Sequence, residues 1–157
     1  MSGIVEKRLR DLCIELPEAV EPKVAKIKAY NQAGSFLYVS GQVPQWNGEM
    51  PYIGKVGREF TVEQGYDAAR MSALNVIAHV KKALEGDLDR VVKVAKLKGY
   101  VNVTQDLAEV AAVVNGASEL MVEVFGQEIG AHARTVAGVS SMPFNVAIEV
   151  EADFLVT

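Results

Sequence analysis

"TVEQGYDAARMSALNVIAHVKKALEGDLDRVVKVAKLKGYVNV", residues 61–103, contains a helix pattern followed directly by a strand pattern. Thr61 and Gln64 have the spacing of a capping box, in which side chain and backbone at a helix start satisfy each other. Val62, Tyr66, Ala69, Ala73, Val76, Ile77, Val80 and Leu84 recur every three or four residues. That places them on one stripe of a helix. Gly86 suits the C-terminal cap. The period then changes to two over residues 89–103. Ala95, Leu97, Gly99, Val101 and Val103 share one face of a strand, and Lys96, Lys98, Tyr100 and Asn102 the other. A one-sided helix and a one-sided strand bury their apolar sides against each other, which gives two layers.

The same reading extends both ways. Residues 109–125 form a second helix, with Gly116 as its weak point because glycine disfavours helix interiors. "ARTVAGV" and "NVAIEVEADFLV" read as two final strands around an "SSMPF" turn. Upstream, residues 24–32 alternate, "AGS" at 33–35 is a turn, and 36–43 is rich in β-branched and aromatic residues. Together they predict a hairpin. Residues 44–60 read as a loop. Ile4, Leu9, Leu12 and Cys13 predict a short helix over 3–15 ended by Pro17. The order is β-β-α-β-α-β-β after a helical extension. The fold class is α+β: a mixed, mostly antiparallel sheet with two helices on one face. Its other face carries Lys96, Lys98, Tyr100, Glu149, Glu151 and Asp153, and we expect a second copy of the chain to cover it.

Composition narrows the function. The chain has 157 residues, a formal charge of −4 and one cysteine, Cys13. The size fits one domain, and an acidic surface repels phosphate backbones, so nucleic acid is not an expected partner. A single cysteine forms no internal disulfide and suits a reducing cytoplasm. No stretch is long and apolar enough for a membrane span. His79 and His132 lack a matching ligand set, so no metal is expected, and no phosphate-cradling glycine loop or serine elbow is present. Arg134 stands out. Arginine keeps its charge and presents a planar fork matched to a carboxylate. No acid follows it until Glu149. Two readings are open: an Arg134–Glu149 ion pair between adjacent strands, or a carboxylate-binding arginine beside a proton-handling carboxylate.

"YVSGQVP" (38–44), "ALNVIAHVKKALEGDLDRVVKVAKLKGYV" (73–101), "VVNGA" (113–117) and "ARTVAGVSSMPFNVAIEVEA" (133–152) resemble, in order and spacing, the RidA/YjgF family, also labelled endoribonuclease L-PSP. The likeness runs over residues 24–156. The extension before it and the loop at 45–60 mark a divergent branch, with residues 1–23 as an N-terminal helical extension and 24–157 as the RidA-like domain. The resemblance implies a chorismate-mutase-like fold and a homotrimer with ligand clefts between subunits. In such an assembly Lys96 or Lys98 would neutralise acids such as Glu151. It implies hydrolysis of small reactive imines or enamines bearing a carboxylate, without a cofactor, to a 2-keto acid and ammonia. Arg134 and Glu149 fall on the catalytic positions, and Ser40, Gly41, Asn115 and Val136 on substrate-binding ones. Arg134 would clamp the carboxylate while Glu149, with backbone groups near Val136, positions a water. Two residues depart from the pattern: Ile27 replaces a tyrosine, and Val136 a frequent cysteine. A regulatory trimer that binds a keto acid without turnover is the alternative. Ribonuclease activity is the reading the acidic composition favours least.

Overall fold

Helix α2, Val62–Ala83, starts where the capping box predicts. The Thr61 hydroxyl accepts the Gln64 N–H at 3.1 Å, and the Gln64 side chain accepts the Thr61 N–H at 2.9 Å. The Gly86 N–H closes the other end on the Lys81 carbonyl at 2.8 Å, with Gly86 in the left-handed region at φ 94°. In the computed structural model, which describes residues 3–157, a 3-10 turn over Leu88–Arg90 then leads into strand β3, Val91–Asn102.

β3 lies inside a five-stranded sheet. The other strands are β1 (Tyr30–Ala33), β2 (Phe36–Gln42), β4 (Ala133–Val139) and β5 (Ile148–Val156), in the order β1-β2-β5-β3-β4. Only β3 and β4 run parallel, and helix α3, Val110–Phe125, makes the crossover that a parallel pair requires. One sheet face carries Leu37, Val39, Leu97, Val101, Val150, Ala152 and Phe154, all buried against α2 and α3. The one-turn helix α4, Gln127–Gly130, joins α3 to β4.

Several sequence expectations change here. Gly116 is not a weak point. A methyl group on it would sit 2.0 Å from the Tyr66 carbonyl oxygen, so its bareness lets the backbones of α2 and α3 touch. On β3, register shifts at 91–93 and 94–96 rotate the strand, and Val94 rather than Ala95 joins the core. Asn102 does not belong to the polar face. It is fully buried, donates to the Val146 carbonyl at 3.1 Å and to Asn145 Oδ1 at 3.2 Å, and accepts from Lys55 Nζ at 2.7 Å. It thereby ties the 44–60 loop to the sheet. The first strand is shorter than its alternation suggests: residues 24–29 are irregular, with Ala25 at φ 65°. The hairpin itself holds, with Ala33 opposite Phe36 across Gly34 and Ser35.

Helix α1, Ile4–Asp11, ends at left-handed Cys13 rather than at Pro17. It buries Val5 and Leu9, while Ile4, Leu12 and Cys13 are exposed. The Asp89 carboxylate caps it, accepting the Ile4 and Val5 N–H groups at 2.8 and 2.9 Å, and Arg8 donates to the Val124 carbonyl at 2.9 Å. At the opposite end of the chain the Thr157 N–H donates to the Arg90 carbonyl at 3.0 Å, and Arg90 Nε donates to the Thr157 carbonyl oxygen at 2.9 Å. Among the described residues no helix covers the second sheet face. Lys98 and Glu151 form an ion pair there at 3.3 Å, beside the Phe36 and Tyr38 rings, which stack at 6.3 Å. Among the described residues no helix is long and apolar enough to cross a membrane.

Candidate functional site

Arg134 lies on β4, the edge strand, opposite Leu97 of β3. It therefore shares the helix-covered face of the sheet with Leu97 and Ala152. α3 passes over it and presents Asn115 and Ser118, which are three residues apart and so on one helix stripe. Arg134 Nη1 donates to Asn115 Oδ1 at 2.8 Å and to Ser118 Oγ at 3.2 Å. Both Nη1 hydrogens are thus engaged. Nε and Nη2, which form the side-on edge of the guanidinium, have no hydrogen-bond partner among the described residues. The guanidinium is aimed by two neutral anchors, with a two-donor fork left over.

A cleft of about 640 Å³ opens at this place, lined among others by Asn115, Ser118, Glu119, Glu123, His132 and Arg134. Its two carboxylates are already engaged from α2. The Tyr66 hydroxyl donates to Glu119, which pushes the phenol up to about 12, and Arg70 pairs with Glu123 at 3.0 Å. His132 Nδ1 lies 2.7 Å from the Gly130 carbonyl, and Nε2 lies 2.9 Å from Ser118 Oγ. A carbonyl only accepts, so the proton of the neutral ring sits on Nδ1 and Nε2 is left to accept the Ser118 hydroxyl. Burial lowers the histidine's pKa below its usual value, and the Arg134 cation lowers it further, against the Gly130 bond. The ring is neutral at pH 7.

Glu149 lies elsewhere. It pairs with Tyr100 on β3 and points to the uncovered face. β3 separates its strand from that of Arg134, so the ion pair between adjacent strands does not form. Two strand spacings and a three-residue offset put the two Cα atoms about 14 Å apart, with side chains on opposite faces. Glu149 packs on Gly41, where a Cβ would lie 2.1 Å from its Oε1, which explains a glycine at that bulge. Ser40, Gly41, Ile27, Phe144 and Glu149 line a second cleft. Ser40 turns its hydroxyl away, donating to the Lys28 carbonyl at 2.6 Å. Burial, and to a lesser degree Glu151, raises the Glu149 carboxyl above its usual pKa. Val136 is on the same face as Arg134 but packs into the core.

The six residues singled out from sequence thus separate. Arg134 and Asn115 meet in one cleft, with Val136 beneath. Ser40, Gly41 and Glu149 meet in another. Ser118 and His132 were missed. The available signals were their positions, one helical step after Asn115 and two residues before Arg134.

Residues 6–152 match the family model described as "YjgF/chorismate mutase-like, putative endoribonuclease". This chain belongs to the RidA/YjgF family. It is 43% identical over 151 residues to protein TCP17 of Trypanosoma cruzi, covering 96% of this chain and 93% of that protein. The crystal structure of Atu1372 from Agrobacterium tumefaciens, described as of unknown function, superposes with a TM-score of 0.89 at 38% identity, over 98% of this chain and 94% of that one. RidA from the Antarctic bacterium Psychrobacter sp. PAMC 21119 shares the fold at a TM-score of 0.57 and 21% identity, over 88% and 94% of the two chains. This RidA/YjgF chain is therefore nearer in structure to Atu1372 than to that RidA. The recognised family and the α+β, mostly antiparallel fold agree with the sequence reading.

Proposed function

We propose that the protein hydrolyses small reactive imines or enamines that carry a carboxylate, releasing a 2-keto acid and ammonia without a cofactor. The observation that carries this reading is the Arg134 fork. Asn115 and Ser118 fix the guanidinium through Nη1, and the Nε–Nη2 edge remains to take a carboxylate bidentately. Holding the carboxylate fixes the neighbouring electrophilic carbon, and positioning of this kind supplies much of the rate for an already activated substrate.

Glu149 is too far away to act beside Arg134 of its own chain. The uncovered sheet face and the second cleft fit a homotrimer in which Glu149 of one subunit faces Arg134 of another. Its raised pKa suits a carboxyl that exchanges protons. A second reading rests on Ile27. It lines the Glu149 cleft and is 59% exposed, giving an apolar wall where the resemblance places a tyrosine. A keto-acid-binding trimer without turnover fits that wall.

The test is keto-acid release from freshly generated 2-iminopropionate and 2-iminobutyrate, read with the oligomeric state. Turnover by wild type that drops at least about 100-fold in Arg134→Ala, the loss of two charge-assisted hydrogen bonds, supports the enzyme. Keto-acid binding with no turnover selects the second reading.

A further inference from the structure

We infer that Ser118 and His132 form a proton relay beside the Arg134 fork, with Ser118 as the group that touches the attacking water and His132 as the base acting through it. This rests on the deaminase reading above and names the residues that move its protons.

The case starts from what bracing alone requires. Ser118 Oγ already accepts Arg134 Nη1 at 3.2 Å, and that contact needs no histidine. His132 adds an acceptor for the serine proton at 2.9 Å, and the Gly130 carbonyl fixes the tautomer that makes it an acceptor. A hydroxyl oxygen has one hydrogen and two lone pairs. Here the hydrogen goes to His132 and one lone pair to Arg134, which leaves the second lone pair for a water in the cleft. The adjacent guanidinium favours negative charge on Oγ as it gives up its proton. Within one subunit, and among the described residues, no other free base adjoins the fork, so that Glu149 reaches it only from a neighbouring subunit. Glu119 accepts from Tyr66, Glu123 is paired with Arg70, and Glu149 is on the opposite sheet face. The charge that acts on His132 is Arg134, and from β3 the register sets Lys96 opposite Ala133, the next residue in the chain.

The step balances within these groups. Water oxygen bonds to the iminium carbon as the C=N π pair moves to nitrogen. One water proton passes to Ser118 Oγ while the Ser118 proton passes to His132 Nε2. The imidazolium returns its proton through Ser118 to the amine. The C–N bond then breaks as the carbinol hydroxyl forms C=O and gives its proton to the departing ammonia. Keto acid and ammonium leave, with His132 neutral again.

The experiment compares wild type, His132→Gln, Ser118→Ala and Arg134→Ala in imine turnover across pH, together with calorimetric binding of 2-oxobutanoate. Glutamine still accepts the serine hydrogen bond but takes no proton, so it separates basicity from bracing. The relay requires His132→Gln and Ser118→Ala each to lower kcat by about 100-fold, the usual scale for a general base. It also requires 2-oxobutanoate affinity within about threefold of wild type, set against its loss in Arg134→Ala. In wild type, kcat/KM falls at acid pH below the usual histidine range, and His132→Gln lacks that limb. Near-wild-type kcat or an unchanged acid limb in His132→Gln, with Arg134→Ala inactive, overturns the relay and spares the deaminase reading. Loss of 2-oxobutanoate binding in His132→Gln reduces the histidine to a brace and also overturns it. Absence of turnover in wild type overturns both.

Discussion

Gly116→Ala adds one methyl group where α2 and α3 cross. Alanine is the better helix former by about 1 kcal/mol, so propensity alone predicts a more stable protein. The structure predicts the reverse. The new Cβ lies 2.0 Å from the Tyr66 carbonyl oxygen and 3.2 Å from the Arg70 nitrogen, both backbone atoms of α2 that no rotamer change removes. Ordinary contact begins near 3.4 Å, so the helices must part by about 1.4 Å. That loosens the shared core of Ala69, Val113, Ala117 and Leu120. Overpacking of this kind costs about 3 kcal/mol, which leaves a net loss of about 2 kcal/mol and a melting temperature lower by about 4–8 °C for a chain of this size. Gly65→Ala is the internal control. It gains the same propensity and meets only side-chain methyls, Val56 Cγ2 at 3.0 Å and Val113 Cγ1 at 3.1 Å, so it should stay within about 1 kcal/mol of wild type. The assay is thermal and urea unfolding of all three proteins at one concentration, which holds any subunit association constant. A Gly116→Ala protein as stable as wild type refutes the close crossing of α2 and α3. It would also remove the reason why Asn115 and Ser118, either side of Gly116, hold their places over Arg134.

Two further predictions concern one half-buried and one buried polar group. Glu149→Gln raises the melting temperature at pH 7 and loses that advantage near pH 4. A carboxyl whose folded pKa is raised contributes stability below its unfolded pKa and loses it as pH rises; equal shifts at both pH values refute the assignment. Asn102→Ala removes one acceptor of the Lys55 ammonium, which keeps the Ser140 carbonyl at 2.6 Å, and strips the Val146 carbonyl of its amide donor, and it destabilises by about 2 kcal/mol in urea unfolding. A loss below about 1 kcal/mol means water replaces the amide.

Sequence legibility followed the range of the interaction. The Thr61–Gln64 capping box and the hairpin turn at Gly34 are closed by neighbours in the chain, and both were readable. Residues 24–29 alternate as a strand does, but the partner carbonyl and N–H groups are decided by the far side of the hairpin. There only Lys28 and Ala29 find a partner, in Ser40. Gly116 looked weak because helix propensity is local, whereas its role is set by Tyr66, fifty residues away. The same limit applied to the site. Periodicity left Arg134 and Glu149 as possible neighbours, because it does not state that β3 inserts between their strands. Family resemblance supplied Asn115. Ser118 and His132 carry chemistry only through a fixed tautomer and a helix placed over an edge strand, and neither is written in residue spacing.

Asp89 and Arg90 are neighbours in sequence yet hold residues 4–5 and residue 157. One caps the first helix at Ile4 and Val5, and the next binds Thr157. Topologically the backbone is almost a ring, with its gap at a single 3-10 turn. Sequence order and packing order are then nearly separable. A short linker between residues 3 and 157 could close the gap, and a new opening at the exposed Gly48 turn would leave all strand pairings in place. Residues 4 and 157 thus lie at the same corner of the molecule.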